Sequence, residues 1–535
     1  MLLSNGLASK HKVIQCDRKR VGSILSVSTL IVVATLVGCQ SQDNTPTIGA
    51  KQLVPASDVS TTITNASGIG LSDSSDEQVT SQAPEPTSAE VEPTPPAEAE
   101  TQINYATTLE PVDAMTQTTG ETQFPLTVVA GSKALVGADG RPFLVLGDAA
   151  WSLIVELDRD EVDHYLENRK RLGFNAVLVS LIEHRFSSNP PYDAYGDAPF
   201  STPGDFSTPN EAYFEHVDWV MQRMADYGFL VFLAPSYTGW IGGSDGWWEE
   251  MVDNGAETLR AYGRFVGGRY GHFDNIVWVE GGDGDPTQPD LVDAIAAGIS
   301  ETDLDALHTA HLAPDTPPRE FWSQSAWLDI DNVYTYDPVY EAALEAYNAT
   351  SMPYLLMESA YENEHDVSTR RLRTQAYHAL FTGATGEIFG NNPIWNFGSG
   401  GLFDAPVTWQ DALDGPGSQS MSAVAQVMKN IDWWDLRPDS ASEFLTGGIG
   451  EGQDRSVAAV SDDGTWGVVY VPTKRTITLD FGQIGRSRVH VTWYDASLGT
   501  PAWEMTIDVD GVTELETPEN TANGDDDWVI VVTVA

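Results

Sequence analysis

Residues 275–283 read Asn-Ile-Val-Trp-Val-Glu-Gly-Gly-Asp, and this stretch decides the predicted fold. A short apolar run that ends in two glycines and a carboxylate is typical of a buried strand whose C-terminal end presents an acid. In a barrel of parallel strands, the catalytic groups lie at these C-terminal ends. We therefore predict that Asp283 is a catalytic carboxylate.

Around this stretch, apolar runs alternate with segments of helical spacing between residues 123 and 435. Eight strand–helix units predict a (β/α)8 barrel of the TIM type. The first helix is predicted to begin after Asp158 and to end at Gly173. The fifth and sixth strands are the weakest, and we place them near residues 321–324 and 332–335. A doubly wound open sheet is the alternative, although no strand–Gly-x-Gly-x-x-Gly–helix unit supports a dinucleotide-binding form of it.

A second apolar run, at residues 353–358, ends in Glu358 and forms the seventh predicted strand. The fourth and seventh strands lie on opposite sides of an eight-stranded ring, so the acids at their ends face each other. Cleavage of a glycosidic bond needs one carboxyl group that protonates the leaving oxygen and a second that meets the oxocarbenium-like centre. We predict that Asp283 is the general acid/base and Glu358 the nucleophile of a retaining enzyme. A carboxyl separation of about 6.5–9.5 Å would instead mean inversion.

Residues 436–535 consist of short runs rich in β-forming residues, with turn pairs such as Asp463-Gly464 between them. This pattern predicts a small antiparallel β-sandwich domain that follows the barrel. Nothing in the segment indicates catalysis, so we place the chemistry entirely in the barrel.

Residues 1–38 resemble the signal peptide of a bacterial lipoprotein. Five Lys and Arg residues precede an uncharged apolar run, and Leu-Val-Gly leads into Cys39. We predict cleavage before Cys39, lipid attachment to it, and anchoring at the bacterial outer membrane or cell surface, on the periplasmic or extracellular face. An uncleaved membrane anchor is the alternative. Residues 39–122 are rich in Ser, Thr, Pro and Glu, which predicts a disordered linker.

The amino-acid composition restricts the classes of molecule that the protein can bind. The chain carries 28 Lys and Arg residues against 78 Asp and Glu residues, a net charge of −50. Nucleic-acid binding needs a basic surface, so this charge excludes a nucleic-acid partner and disfavours a highly charged anionic substrate. The only cysteines, Cys16 and Cys39, lie near the N-terminus, so we expect no disulfide and no cysteine chemistry in the domains. We expect a monomer that binds a glycan and uses neither a cofactor nor a metal.

Polar and aromatic residues follow most of the predicted strands, where a barrel enzyme contacts its substrate. Aromatic rings stack on the apolar faces of sugars, and polar groups bind their hydroxyl groups. The predicted substrate-binding residues are Asp148, Trp151, Glu183, His184, Tyr237, Trp240, Tyr334, Tyr361, Asn392 and Trp395. For each of them, packing or loop capping is the structural alternative. A metal site formed by His184, Asp148 and Glu183 is a weaker alternative, because no recognisable ligand spacing supports it.

From about residue 124 to residue 435, the chain resembles the apiosidase-like glycoside hydrolases. The matching motifs include Leu-Gly-Asp-Ala-Ala-Trp at 146–151, Leu-Gly-Phe-Asn at 172–175 and the stretch at 275–283. The resemblance implies a TIM barrel that acts on glycans, with the family's acid at Asp283 and its strand-seven glutamate at Glu358. It also implies a collagen-binding-like β-domain behind the barrel.

By this resemblance, we expect cleavage in the side chains of plant or algal polysaccharides. Around strand seven, many members of the family read Gly-Glu-Pro-x-Tyr-Glu, whereas residues 357–362 of this chain read Met-Glu-Ser-Ala-Tyr-Glu. The glutamate and tyrosine are kept and the loop differs, so the sugar is left open. The alternative function is a catalytically silent carbohydrate-binding surface lipoprotein, and the presence of both acids favours the hydrolase. A protease or collagenase is disfavoured because the sequence has no His-Glu-x-x-His motif of the metalloproteases.

Overall fold

The computed structural model describes residues 123–240, 244–398, 402–485, 488–509 and 511–535. The predicted signal peptide, the lipid-attachment residue Cys39 and the predicted linker at 39–122 lie outside these ranges and stay predictions. Within the ranges that are described, no helix is both long and apolar enough to cross a membrane.

Eight parallel strands form a nearly closed barrel, which confirms the predicted fold class. A short antiparallel sheet precedes the barrel and consists of β1 (Thr127–Val128), β2 (Leu135–Val136) and β3 (Pro142–Phe143). The barrel strands are β4 (Val145–Ala149), β5 (Ala176–Ser180), β6 (Leu230–Ala234), β7 (Ile276–Gly281), β8 (Leu307–His311), β9 (Asp331–Tyr334), β10 (Tyr354–Glu358) and β11 (Gly386–Phe389). Around the ring they follow chain order, and β4 pairs with β11.

Helices alternate with these strands on the outside of the barrel. They are α1 (Leu153–Glu156), α2 (Arg159–Leu172), α3 (Glu211–Tyr227), α4 (Trp248–Tyr270), α5 (Pro289–Ser300), α6 (Pro318–Phe321), α7 (Val339–Ala349), α8 (Thr369–Leu380), α9 (Trp409–Ala412) and α10 (Pro416–Lys429). The bounds of α2 are encoded locally: Asp158 and Glu161 form a capping box, and Gly173 ends the helix with φ 92°. Both predicted ends of this helix are confirmed.

The prediction that the fifth strand lies near residues 321–324 is wrong. This strand is β8, and residues 321–324 include the end of α6. β8 reads Leu-His-Thr-Ala-His. Because three of its five side chains are polar, it lacks the apolar run by which a buried strand is predicted. Burial of these side chains is tolerated because they find partners, as His308 does with Glu280 at 3.1 Å.

The strands β8 and β9 are the two edges of the sheet, and they meet at the seam of the ring. The Nδ2 atom of Asn332 reaches across this seam to Oγ1 of Thr309 (3.2 Å) and to the carbonyl oxygen of Ala310. A side-chain amide thus replaces ladder bonds that the backbone does not make here. Because the ring is held together, the C-terminal ends of all eight strands share one rim.

Successive side chains of each strand point to opposite faces of the sheet. The residues that point inward fill the barrel with one apolar cluster, which includes Val145, Leu178, Phe232, Val277, Leu355 and Ile388. The residues between them point to the helices and join a larger cluster, which includes Val177, Val231, Trp278 and Phe389. The barrel is therefore a packed core, and space for a ligand remains at its rim.

The C-terminal segment forms two packed antiparallel sheets, as predicted. Their strands are β12 (Leu436–Pro438), β13 (Leu445–Gly447), β14 (Val457–Ser461), β15 (Trp466–Val471), β16 (Thr476–Asp480), β17 (Arg488–Asp495), β18 (Thr500–Asp508), β19 (Val512–Glu516) and β20 (Trp528–Val534). One sheet has the order β12-β14-β15-β20-β17-β18, and the other has the order β13-β16-β19.

A buried ionic network joins the barrel to this domain. The guanidinium of Arg373 on α8 is fully buried and donates to both carboxylate oxygens of Asp527 (2.8 and 2.7 Å). It also donates to Asp525 (2.6 Å), while the Tyr470 hydroxyl donates to Asp527 (3.0 Å). Each charge is thus paired and hydrogen-bonded, which burial requires.

We expect Arg373→Met to lower the free energy of unfolding by about 3–5 kcal/mol, because the carboxylate of Asp527 is left buried without its partner. Chemical denaturation measures this loss. The matched control is Arg370→Met one turn away on α8, which removes the partly exposed pair with Asp526 and should cost less than about 1 kcal/mol. Equal losses in the two variants would contradict the structural role of the buried network.

Candidate active site

The acid at the end of β7 is turned into the barrel mouth by two glycines. Gly281 has φ 88°, and a Cβ atom there would lie 2.4 Å from the carbonyl oxygen of His311. The Gly282 amide donates to this same carbonyl oxygen at 3.0 Å. Only glycine combines this backbone conformation with such a close approach. The local sequence therefore fixes the direction in which Asp283 leaves the strand.

The second acid, Glu358, is the last residue of β10 and is buried. Its Oε2 atom lies 3.0 Å from Nε2 of His311, and its Oε1 atom accepts a hydrogen bond from the Tyr336 hydroxyl at 3.1 Å. The Tyr336 hydroxyl lies in turn 3.1 Å from the hydroxyl of Tyr334. Both oxygens of this carboxylate thus have a partner, which holds the group in one orientation.

Asp283 and Glu358 meet at one point of the rim. A carboxylate oxygen of each and a ring nitrogen of His311 lie within 4.8 Å of one another. The Asp283 side chain keeps 24% of its surface exposed, whereas that of His311 keeps 1%. The two carboxylates are therefore accessible from the cavity, with the imidazole behind them.

The surroundings give these groups different proton affinities. Burial, followed by the charge of Glu358, raises the pKa of Asp283 to about 6, although the charge of His311 and the Tyr334 and Tyr237 hydroxyls act in the opposite direction. Burial alone would lower the pKa of His311, but the hydrogen bond to Glu358 and the charges of both carboxylates outweigh it, so this pKa is raised. Asp283 can therefore hold a proton in weakly acidic solution.

The spacing of Asp283, His311 and Glu358 also invites comparison with a metal site. The imidazole uses its two nitrogens for two different carboxylates: Nε2 faces Glu358 at 3.0 Å, and Nδ1 faces Asp283 at 3.4 Å. One ligand atom of each residue lies within 4.8 Å of the other two, so these three side chains offer a donor set for a metal ion. Because the two ring nitrogens face two different carboxylates, the same groups are also arranged for acid–base chemistry.

The two acids line a cavity of about 310 Å³ at the C-terminal rim of the barrel. Its aromatic lining consists of Trp151, Phe186, Tyr237, Trp240, Tyr336, Tyr361, Trp395 and Phe403, and its acidic lining consists of Glu183, Asp245, Asp283, Glu358 and Glu364. Burial and the charge of Glu358 raise the pKa of Glu364 to about 7. An apolar, aromatic cavity with a few polar groups is suited to a sugar ring.

Six of the ten predicted substrate-binding residues line this cavity: Trp151, Glu183, Tyr237, Trp240, Tyr361 and Trp395. The Oε1 atom of Glu183 accepts hydrogen bonds from three successive backbone amides, at residues 184, 185 and 186, so this carboxylate is held in place by its own loop. Trp240 is half exposed at the mouth.

The other four, Asp148, His184, Tyr334 and Asn392, are not among the described residues that line the cavity. Asp148 faces the helix layer, where its Oδ2 atom accepts from the Tyr165 hydroxyl (2.7 Å) and lies 3.5 Å from the Arg169 guanidinium. Strand alternation explains this position, since Ala149 takes the inward place. The prediction that Asp148 contacts the substrate does not fit its burial.

Two of the remaining three have partners outside the cavity lining: His184 lies 3.1 Å from Glu250 on α4, and the buried amide of Asn392 donates to the Asp404 carbonyl oxygen at 3.3 Å. Tyr334 instead contacts the site, since its ring packs against His311 at 4.9 Å and its hydroxyl lies 3.1 Å from that of Tyr336. Asp148 pairs with Tyr165 and Arg169 in the helix layer, whereas His184 pairs with Glu250. These two residues and Glu183 therefore do not form the metal site considered above in the described part of the chain.

The sequence reasoning missed His311, Tyr336, Glu364 and Phe186. The signal for His311 was present in the polar tip of β8, which was not recognised as a strand. Tyr336 follows Tyr334 at a spacing of two, the period that places side chains on one face of an extended segment. The position of Glu364 in the cavity depends on the fold of a loop, which local sequence does not reveal.

Two family models match the chain. The model described as "Apiosidase-like, catalytic domain" matches residues 130–435, and the model described as "Putative collagen-binding domain of a collagenase" matches residues 438–533. No curated protein matches the sequence.

Solved structures share the fold. A structure titled "Glycoside hydrolase" is 24% identical with a TM-score of 0.68, over 78% of this chain and 99% of that one. A glycoside hydrolase family 5 protein from Bacteroides vulgatus ATCC 8482 is also 24% identical with a TM-score of 0.68, over 77% of this chain and 95% of that one. At this identity the likeness shows the fold alone.

The catalytic-domain model covers more than half of the chain and includes both acids at the rim. The match therefore decides the family independently of the structural likeness. The chain belongs to the apiosidase-like family of glycoside hydrolases.

Proposed function

We propose that the chain is a retaining glycoside hydrolase that removes sugars from the side chains of plant or algal polysaccharides. In this proposal Asp283 is the general acid/base and Glu358 is the nucleophile. One observation carries the proposal: both carboxylates face a single aromatic cavity, with oxygens within 4.8 Å of each other.

The arrangement supports this division of roles. Glu358 accepts a hydrogen bond from Tyr336 and faces a ring nitrogen of His311, so its oxygens are oriented for attack. Asp283, whose pKa is raised to about 6, holds a proton in weakly acidic solution. Two carboxyl groups in different environments are what acid–base and nucleophilic catalysis at one pH require.

The proposed reaction has two steps. An oxygen of Glu358 bonds to the anomeric carbon while the bond to the leaving oxygen breaks, and the proton of Asp283 passes to that oxygen. Asp283, now ionised, then takes a proton from water, whose oxygen displaces Glu358 from the sugar. One oxygen of each carboxylate lies within 4.8 Å of the other, which is nearer to the separation of about 5–5.5 Å in retaining enzymes than to the separation of about 6.5–9.5 Å in inverting enzymes and so supports retention.

The cavity favours a neutral sugar. Five carboxyl groups line it, and no Lys or Arg is among its described lining residues. Arg185 at its edge pairs with Asp245. A uronate or sulfated sugar would meet repulsion from these carboxylates, since the described lining holds no Lys or Arg and the cations nearby, Arg185 and His311, already face Asp245, Asp283 and Glu358. We therefore propose a neutral terminal sugar, held between aromatic rings, as the substrate group; a neutral branched pentose such as apiose fits this description.

We also propose that the mature protein is a monomer anchored through a lipid on Cys39, at the outer membrane or cell surface. The charged and apolar segments of residues 1–38 support this location. Cys39→Ser should abolish incorporation of labelled fatty acid and release the protein into the soluble fraction. Cys16→Ser is the matched control and should leave labelling intact; labelled Cys39→Ser protein would contradict the anchor.

We expect Glu358→Gln to abolish glycoside hydrolysis and Asp283→Asn to lower kcat on polysaccharide by on the order of 10²- to 10⁴-fold. With a nitrophenyl glycoside, whose leaving group needs no proton, Asp283→Asn should form the covalent intermediate and be rescued by azide. Product release from a panel of neutral glycans measures these effects, and NMR of the first product measures its anomeric configuration.

The control is Asp285→Asn in the same loop, where the asparagine still offers an acceptor to the Ala313 amide. This variant should keep its activity. Full activity of both Glu358→Gln and Asp283→Asn would disprove the assignment, whereas glycan binding without hydrolysis by the native protein would favour the silent binding protein. An inverted first product would disprove retention alone.

The pH profile of kcat/KM should show a decline as pH rises through about 6, because Asp283 must be protonated to act as the acid. The native protein should show this limb with polysaccharide; with the nitrophenyl glycoside, whose leaving group needs no proton, the limb should be weaker in the native protein and absent in Asp283→Asn. Initial rates between pH 4 and pH 9, with stability checked at each pH, measure the profile. A basic limb that persists unchanged in Asp283→Asn would contradict the assignment of the acid.

A further inference from the structure

The buried imidazole of His311 lies between the two carboxyl groups of the site. Its Nε2 atom lies 3.0 Å from Oε2 of Glu358, and its Nδ1 atom lies 3.4 Å from Oδ1 of Asp283. Neither Nδ1 nor Oδ1 has a hydrogen-bond partner among the described residues, so this second contact is a charge contact and not a hydrogen bond. One ring thus spans the distance between the proposed acid and the proposed nucleophile.

The ring is held in this position from both sides. The indole of Trp151 packs edge-on against it at 5.4 Å, and the Tyr334 ring contacts it at 4.9 Å. The backbone of His311 is fixed as well, because its carbonyl oxygen accepts the Gly282 amide. The titratable groups that face the ring are Asp283 from the end of β7, Glu358 from β10 and Tyr334 from β9; beyond them, Tyr237 lies near Asp283, and Tyr336 donates to Glu358.

We propose that His311 is a positioning residue that carries a positive charge throughout the reaction and neutralises whichever of the two carboxylates is ionised. This inference rests on the proposed function. In the free enzyme, Glu358 is the ionised partner and Nε2–H of His311 donates to it. In the covalent intermediate, Asp283 is the ionised partner and Nδ1–H faces it.

The charge balance of the two steps explains why one cation serves both. In the first step Glu358 becomes a neutral ester as it bonds to the sugar, and Asp283 becomes a carboxylate as it gives up its proton to the leaving oxygen. The negative charge therefore moves from one side of the imidazolium to the other. The second step, in which water supplies the proton and the oxygen, moves it back. A cation between the two sites stays paired without having to move.

A second histidine of β8, His308, makes a similar contact with a carboxylate but lies outside the cavity lining. His308 pairs with Glu280 at 3.1 Å, and both side chains keep 1% of their surface exposed. This pair lies away from the cavity lining. His308 thus offers a matched control on the same strand, with similar burial and a similar histidine–carboxylate contact.

The test compares His311→Gln with His308→Gln. Glutamine retains a neutral donor toward Glu358 but no charge, so we expect kcat of His311→Gln to fall on the order of 10²-fold, the usual cost of losing one preorganised electrostatic contact. The basic limb of kcat/KM should also shift to higher pH, because the charge of His311 lowers the pKa of Asp283. His308→Gln should lose stability without a shift of this limb.

A second measurement needs no substrate. In protein labelled with ¹⁵N-histidine, the ring signals of His311, assigned by their loss in His311→Gln, should titrate above the ordinary value of about 6.5. In Glu358→Gln this titration should move to lower pH. Titration at or below 6.5 in the native protein, or an unshifted basic limb in His311→Gln, would overturn the inference while leaving the proposed function intact. Native protein that hydrolyses no glycoside would instead overturn the proposed function, and titration of His311 would still show whether its charge depends on Glu358.

Discussion

The hydrogen bond from the Gly282 amide to the His311 carbonyl oxygen ties the end of β7 to the end of β8. It forms because Gly281 has a positive φ and no side chain that would collide with this oxygen. The chain therefore leaves the strand sideways, and Asp283 turns toward the cavity. The same contact fixes the backbone of the residue whose imidazole reaches Glu358, so one close backbone approach positions Asp283, the imidazole of His311 and, through it, Glu358.

The barrel places its acids in two environments that differ in their partners. Asp148 and Glu280 face the helix layer, where burial raises the pKa of each and fixed partners satisfy the charge: Tyr165 and Arg169 for the first, His308 for the second. The acids at the strand ends also lie in a dry setting, but their partners leave one side open to the cavity. Burial alone therefore does not distinguish the acids of the site from the structural ones. The difference is that Asp283 and Glu358 line the cavity, whereas Asp148 and Glu280 do not.

The β-sandwich contributes to this site from a distance. It contacts the barrel through α8, which follows Glu358 in the chain and packs behind β10 and β11. The buried contacts of Arg373 with Asp527 and Asp525 fix that helix to the second domain. The second domain can thus support the strand that carries Glu358, because a packed interface transmits position.

Local sequence by itself determined the alternation of strands and helices, the ends of α2, and the two strand ends that carry Asp283 and Glu358, because period, capping residues and glycines act over a few neighbouring residues. It did not reveal β8, whose polar side chains conceal its strand character. Only the tertiary structure decided that Asp148 faces the helices and that His311 lies between the two acids. Both outcomes depend on the face of the sheet and on distances across a closed ring, which join residues far apart in the chain.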